Sequence, residues 1–342
     1  LAFLTRLLKT RELSIVLLMV LFFIVIGSIN SNFVSGDTIS LMVKASTILL
    51  IMAVGQSFVL FTSNIDVSVG SIMGLSAAVC GVLLTSGMNV VLTVFIVLFV
   101  GIATGFVNGI GVSLFRVPSI IMTLGTLGII RGIMLIYTEG MWIEDIPNFY
   151  KKYSSMEFLG VTFPVWMVIG LVIIAHVFLS RMKFGRYFFA VGDNEDGAKS
   201  VGLPVFQVKL LAFIFSGLSA SIAGLIFVMN IGFVPNQTGS GIELQVIAAA
   251  VLGGVSLTGG LGSVVGASLG AIFFTIISNS LIYLKIPAYW NDAISGFLLL
   301  LIVVGDSKFK SYLFSKSFKR TYGKSVLKKG ENDHDKEDQV VR

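Results

Sequence analysis

Apolar residues gather along this chain in long runs separated by short polar joints. The runs cover 13–29, 38–61, 66–85, 89–115, 119–138, 164–180, 209–232, 243–258, 262–284 and 289–305. Most fall near the about 17–25 residues that carry an α-helix across a hydrocarbon core of about 30 Å. A buried soluble core has no need of so many runs of that length. The pattern predicts an all-α polytopic membrane protein with about ten transmembrane helices, of which the third and eighth are rich in glycine. The first run follows Arg6, Lys9 and Arg11, as a signal peptide would. It is long for one and has no small-x-small cleavage site, so it is expected to be retained as the first helix.

Two glycine stripes stand out. Gly101, Gly105 and Gly109 recur every fourth residue in the fourth run, and Gly262, Gly266 and Gly270 do so in the ninth. That spacing lets helix backbones approach closely. Each run is followed by a basic-apolar-proline triplet, Arg116-Val117-Pro118 and Lys285-Ile286-Pro287. Two five-helix halves of opposite orientation are the expectation that this repeat supports.

Composition agrees with the pattern. Of 342 residues, 55% are apolar and 12% charged, whereas a soluble surface brings the charged share to about 25%. The cations are placed unevenly. An N-in start puts Arg6, Lys9, Arg11, Arg116, Arg181, Lys183, Arg186, Lys199, Lys209 and the basic tail in the cytoplasm, and only Lys151, Lys152 and Lys285 outside. This obeys the positive-inside rule at both ends, so N-in/C-in is expected. The same rule explains the basic pI of about 9.3 without nucleic acid, which is not expected as a partner. Residues 1–305 are read as the transmembrane domain, and 306–342 as a charged, disordered cytoplasmic tail lying against anionic lipid. The outer loop near 139–163 carries Trp142 and Tyr150, residues suited to an interfacial belt. Cys80, the one cysteine, is expected to be a small buried side chain.

No catalytic constellation is visible. His176 and His334 lack Cys, Asp or Glu at metal-ligand spacing, and no G-x-x-x-x-G-K-[ST] sequence occurs, so the chain is read as non-catalytic, without a metal or cofactor of its own. Charges near membrane depth are few, and each must face the bundle interior, pair, or reach an interface. Asp66 lies in the polar break 62–71, Thr-Ser-Asn-Ile-Asp-Val-Ser-Val-Gly-Ser. Asn64 and Asp66 either cap the third helix or contact a solute. Glu243 suits the start of its own helix. The turn 233–241 with Asn236 and Gln237 is placed at the outer face, as a pathway mouth or an ordinary turn. Together with Arg131, Asn291 and Asp292, the residues Asn64, Asp66, Asn236 and Gln237 form the candidate translocation path or gate.

The central polar segment, 181–208, is the most informative. Asn194 can cap a short helix, Glu195 and Asp196 suit its positive N-terminus, and Gly202 suits its end. A short helix between two membrane helices can transmit force from a motor.

At these residues the chain resembles a known family. Asp196-Gly197-Ala198 followed by Gly202 is similar to the E-A-A-x-x-x-G docking loop of ATP-binding-cassette importers, with aspartate for glutamate and glycine for one alanine. The 62–71 segment resembles that of ribose-type sugar permeases. The segments at 123–128, 131–135, 142–144, 192–194, 231–239 and 286–292 are, together and in order, most similar to the permeases that import autoinducer-2. The resemblance runs to about residue 306. It implies a docking loop built on Gly185, Arg186, Asn194, Glu195, Asp196, Gly197, Ala198 and Gly202. It also implies cytoplasmic ATPases carrying the ATP and Mg, a second permease subunit, similar or identical, and a solute-binding protein outside. The implied cargo is a ribose-like furanose, autoinducer-2, with ribose or another pentose as the alternative. An ion-coupled secondary transporter is the alternative of another class.

Overall fold

The computed structural model describes residues 11–287 and 289–301; the tail expected at 306–342 lies outside them. The described residues form α1 (Arg11–Ile29), a 3-10 turn at Ser31–Val34, α2 (Gly36–Phe61), α3 (Val69–Thr85), α4 (Val90–Ser113) and α5 (Ser119–Tyr137). After α5 come a short α6 (Asn148–Lys152) and a two-residue hairpin pairing Glu157–Phe158 with Val161–Thr162. Then follow α7 (Phe163–Arg181), α8 (Lys183–Asp193), α9 (Glu195–Ser200), α10 (Val205–Ile231), α11 (Ile242–Leu252), α12 (Val264–Tyr283) and α13 (Trp290–Leu301). Among the described residues, α1, α2, α4, α5, α7, α10 and α12 are long and apolar enough to cross a membrane. The polytopic all-α expectation is met.

The glycine-rich runs differ most from their expected extents. The third begins at Val69 rather than 66, because 62–68 is a break. The eighth was expected over 243–258, yet α11 ends at Leu252 after 11 residues, about 16 Å of helix. Gly254, Gly259, Gly260 and Gly262 all take positive φ, so 253–262 turns instead of continuing. Gly262 therefore lies outside the ninth helix, which opens at Ser263, and only Gly266 and Gly270 of that stripe are helical.

The stripes do what small residues in membrane helices do. A Cβ at Gly101 or Gly105 would overlap the backbone of α10 at Gly217 or Phe213, one at Gly109 would overlap the Leu210 side chain, and one at Gly266 or Gly270 would overlap Gly253 or Ala249. Packing follows a pattern in which the halves correspond: α10 lies on α4 as α2 lies on α12, and α3 on α4 as α11 on α12. Arg116 and Lys285, the basic residues of the two triplets, share a left-handed backbone at φ 56° and 58°.

On the side bearing the 138–163 loop, Ile143 and Val234 exchange backbone hydrogen bonds of 3.0 and 2.8 Å, and Trp142 stacks on Phe233. Trp142 is exposed, as a belt residue should be. Tyr150 is not a belt residue: it is 2% exposed. Its hydroxyl donates to the Leu225 carbonyl at 3.1 Å, with the buried Cys80 thiol 3.8 Å away. It pins the loop to α10.

Candidate functional site

Two polar centres and one candidate docking element interrupt an otherwise apolar bundle. The first centre fills the break between α2 and α3. Asp66 is fully buried. One carboxylate oxygen accepts from the Ser68 N–H (2.9 Å) and Ser68 hydroxyl (2.6 Å), the other from the Ser216 hydroxyl of α10 (2.7 Å). The Gln56 carboxamide brackets the Asp66 peptide, donating to its carbonyl and accepting from its N–H, both at 3.2 Å. Asn108 of α4 donates to the Ser68 hydroxyl at 2.8 Å and accepts from Thr126 of α5 at 2.6 Å. Ser119 and Thr123 of α5 accept the Ile65 and Val67 N–H groups. Non-helical backbone at membrane depth must be satisfied by protein in this way.

Asn64 is buried and donates to Thr62. Ser68, rather than Asn64 or Asp66, is the N-cap residue of α3. Asp66 joins α2, α4, α5 and α10 around that start, with both carboxylate oxygens engaged.

The second centre brings together Arg131, Glu243 and Asp292. Arg131, midway along α5, donates to the Thr238 carbonyl at 2.8 Å. Glu243 opens α11, one oxygen accepting from the Gly241 N–H at 3.3 Å. Asp292 lies against Gly241 and is exposed. The turn reaches far along α3, since Cβ atoms at Gly70 and Gly74 would overlap the carbonyls of Gly239 and Thr238. Segment 233–241 is thus anchored at one end on the long loop, where Asn236 donates to the Gly140 carbonyl (2.8 Å), and descends beside α3. Gln237 is exposed; the Asn291 side-chain oxygen is buried without a partner.

The segment expected to dock a motor forms α8 and α9. Gly185 is buried against the Phe178 carbonyl, and Phe188 packs edge-on to Phe58 and Phe178. Gly192 has no room for a Cβ, because the Phe61 carbonyl and the Gly260 N–H occupy the space; Gly260 donates to that carbonyl at 3.1 Å. Three segments meet there: the end of α8, the end of α2 and the turn after α11.

In α9 the Asn194 side chain accepts from the Gly197 N–H at 2.8 Å. Glu195 binds Lys199 at 2.8 Å and Lys209 of α10 at 2.6 Å. Burial alone raises the Glu195 carboxyl; the hydrogen bonds from Lys199 and Lys209 outweigh it and hold the group below the usual carboxylate range. Gly202 takes φ 77°. The N–H groups of Leu203 and Gly202 close on the carbonyls of Ala198 and Lys199, both at 3.0 Å, a Schellman ending that glycine suits. Ala198 is buried, while Arg186, Asp196, Gly197, Val201 and Gly202 face outward.

The residues that sequence reasoning missed are the partners of Asp66. Asn108 and Gln56 carried a signal, as lone amides deep in apolar runs. Ser68, Ser216 and Thr126 carried little, because hydroxyls are common in membrane helices. His176 is exposed on α7.

Among the described residues, seven helices long and apolar enough to cross a membrane, with polar centres at the breaks between helices, define a multi-pass membrane protein, and its family makes it a permease of the cytoplasmic membrane. The family of permease components of the branched-chain amino acid transport system matches residues 38–303, and this chain belongs to that family. Its relatives include the autoinducer 2 import system permease protein LsrC of Salmonella typhi, 41% identical over 93% of this chain and 92% of the relative. The protein of that name from Photorhabdus luminescens is 41% identical over 88% and 91%, and that from Escherichia coli (strain K12 / DH10B) 42% over 89% and 89%. The resemblance to importer permeases in the sequence is borne out. No solved structure matches the chain.

Proposed function

We propose that this chain is the transmembrane subunit of an ATP-binding-cassette importer that carries autoinducer-2 into the cell. The observation that carries the reading is the pair α8 and α9: α9 is a short helix capped at both ends, and α8, which leads into it, is seated through Gly192 on the end of α2 and the turn after α11. A rigid lever of this kind passes displacement into the bundle, since packed interiors transmit strain. Identity of about 41% with import permeases over most of the chain supports the cargo.

In this reading a cytoplasmic ATPase, holding ATP and Mg, docks on the exposed edge of α9 around Asp196, Val201 and Gly202. A second permease subunit completes the pathway, and a binding protein delivers the solute from outside. Ten traversals in an N-in/C-in arrangement, with inverted halves, suit the corresponding packing of the halves. Ala198→Arg tests the docking assignment, because it forces a long charged side chain into a buried site on the docking helix. The expected result is loss of ATPase co-purification, with the permease still extracted as a monodisperse species. Retained ATPase binding and uptake would place the motor elsewhere.

A further inference from the structure

Glu243 is the least satisfied charged group among the described residues. Its second carboxylate oxygen is buried without a hydrogen-bond partner, close against Gly70. Buried carboxylate oxygens are nearly always supplied with donors. The cation on the same side of α3 is Arg131: its acceptor, the Thr238 carbonyl, packs at Gly74, one helical turn from the Glu243 oxygen at Gly70. No ion pair joins the two; the guanidinium is instead bonded to the neutral Thr238 carbonyl. The intervening turn has glycines in the left-handed region at both ends, Gly232, Gly239 and Gly241 at φ 80°, 82° and 81°. Gly125, Gly128 and Gly132 of α5 have open space beside them, and Arg131 is half-buried. Charges on a face at membrane depth do not meet hydrocarbon; they face water or protein.

We propose that Arg131 and Glu243 are the two halves of a gate latch on the solute pathway. In the conformation described, Arg131 holds the 238–241 turn through the Thr238 carbonyl. In the alternate conformation it pairs with Glu243, which gains the donor it lacks, and the turn is released. The latch rests on the permease reading. Two discrete partner sets for one guanidinium give the bistability that a gate requires.

The test uses the complete transporter, with its ATPase and binding protein, in proteoliposomes. Arg131→Gln and Glu243→Gln should each reduce ATP-driven uptake of autoinducer-2 about tenfold, a typical coupling between conformational states. Basal ATP hydrolysis should persist. The double variant should be no worse than the weaker single, because both remove one interaction. Additive losses, or wild-type uptake by Glu243→Gln, would overturn the latch. A second measurement needs neither solute nor the Glu243 variant. With Thr238→Cys as the reactive thiol, at a side chain buried in the held turn, and Cys80 buried, Arg131→Gln should speed labelling by a membrane-impermeant maleimide; an unchanged rate would also overturn it. A wild-type assembly that imports nothing would instead defeat the function reading, and the labelling result would still judge the latch.

Discussion

Asp66 shows how one side chain can hold a broken membrane helix. Its three acceptor bonds come from Ser68 and Ser216, and every facing group is a donor. Asp66→Asn turns an amide NH2 toward at least one of those donors. The expected cost is about 1–3 kcal/mol, read as a lowered melting temperature of the purified permease and loss of uptake. Normal melting and transport would remove any essential role for the carboxylate. Gly192 is the complementary case, where absence of a side chain is the requirement. Gly192→Ala pushes a methyl into the Phe61 carbonyl. The substitution lies in α8, outside α9, so ATPase binding should survive while coupled uptake falls. Unimpaired uptake would mean that force enters by another route.

The docking helix is the element whose stability depends on identifiable ends. Asn194→Ala removes its N-cap bond and should cost about 1 kcal/mol of local helix stability, seen as faster amide exchange over 195–200. Its pH dependence follows from Glu195. The folded carboxyl lies below its ordinary range, so its contribution is complete above the unfolded-state value and is lost as pH falls through the folded one. Protection of the α9 amides, corrected for the intrinsic exchange rate at each pH, should therefore be flat near neutrality and fall only in acid; in Glu195→Gln that acid step should be smaller. The ends of α9 were legible in sequence because capping is local chemistry: Asn194 and Gly202 sit where a six-residue helix needs them. The long spans were legible because lipid demands continuous apolar runs. The end of α11 was not, since mean hydropathy barely separates helical glycine from the turning glycines of 253–262. Nor was the Asp66 centre, whose Ser216 partner is 150 residues away. Such a pairing exists only once α10 lies beside α2 and α4.

At the scale of the molecule, the corresponding halves connect the parts. The α2–α3 break meets the docking element through Phe61, and the α10–α11 turn meets the Arg131 centre through Thr238. Displacement of α8 therefore bears on the ends of both α2 and α11. Two charged groups differ in setting: Asp66 is buried in the core, while Arg131 is half-buried and belongs to the proposed latch. The most direct measurement is uptake of autoinducer-2 by proteoliposomes containing this permease, its partner permease and the ATPase, with binding protein outside. The account predicts accumulation that requires ATP within reach of the ATPase, survives collapse of ion gradients, and exceeds that of ribose. Uptake driven by an ion gradient without ATP, or ribose imported in preference, would contradict it.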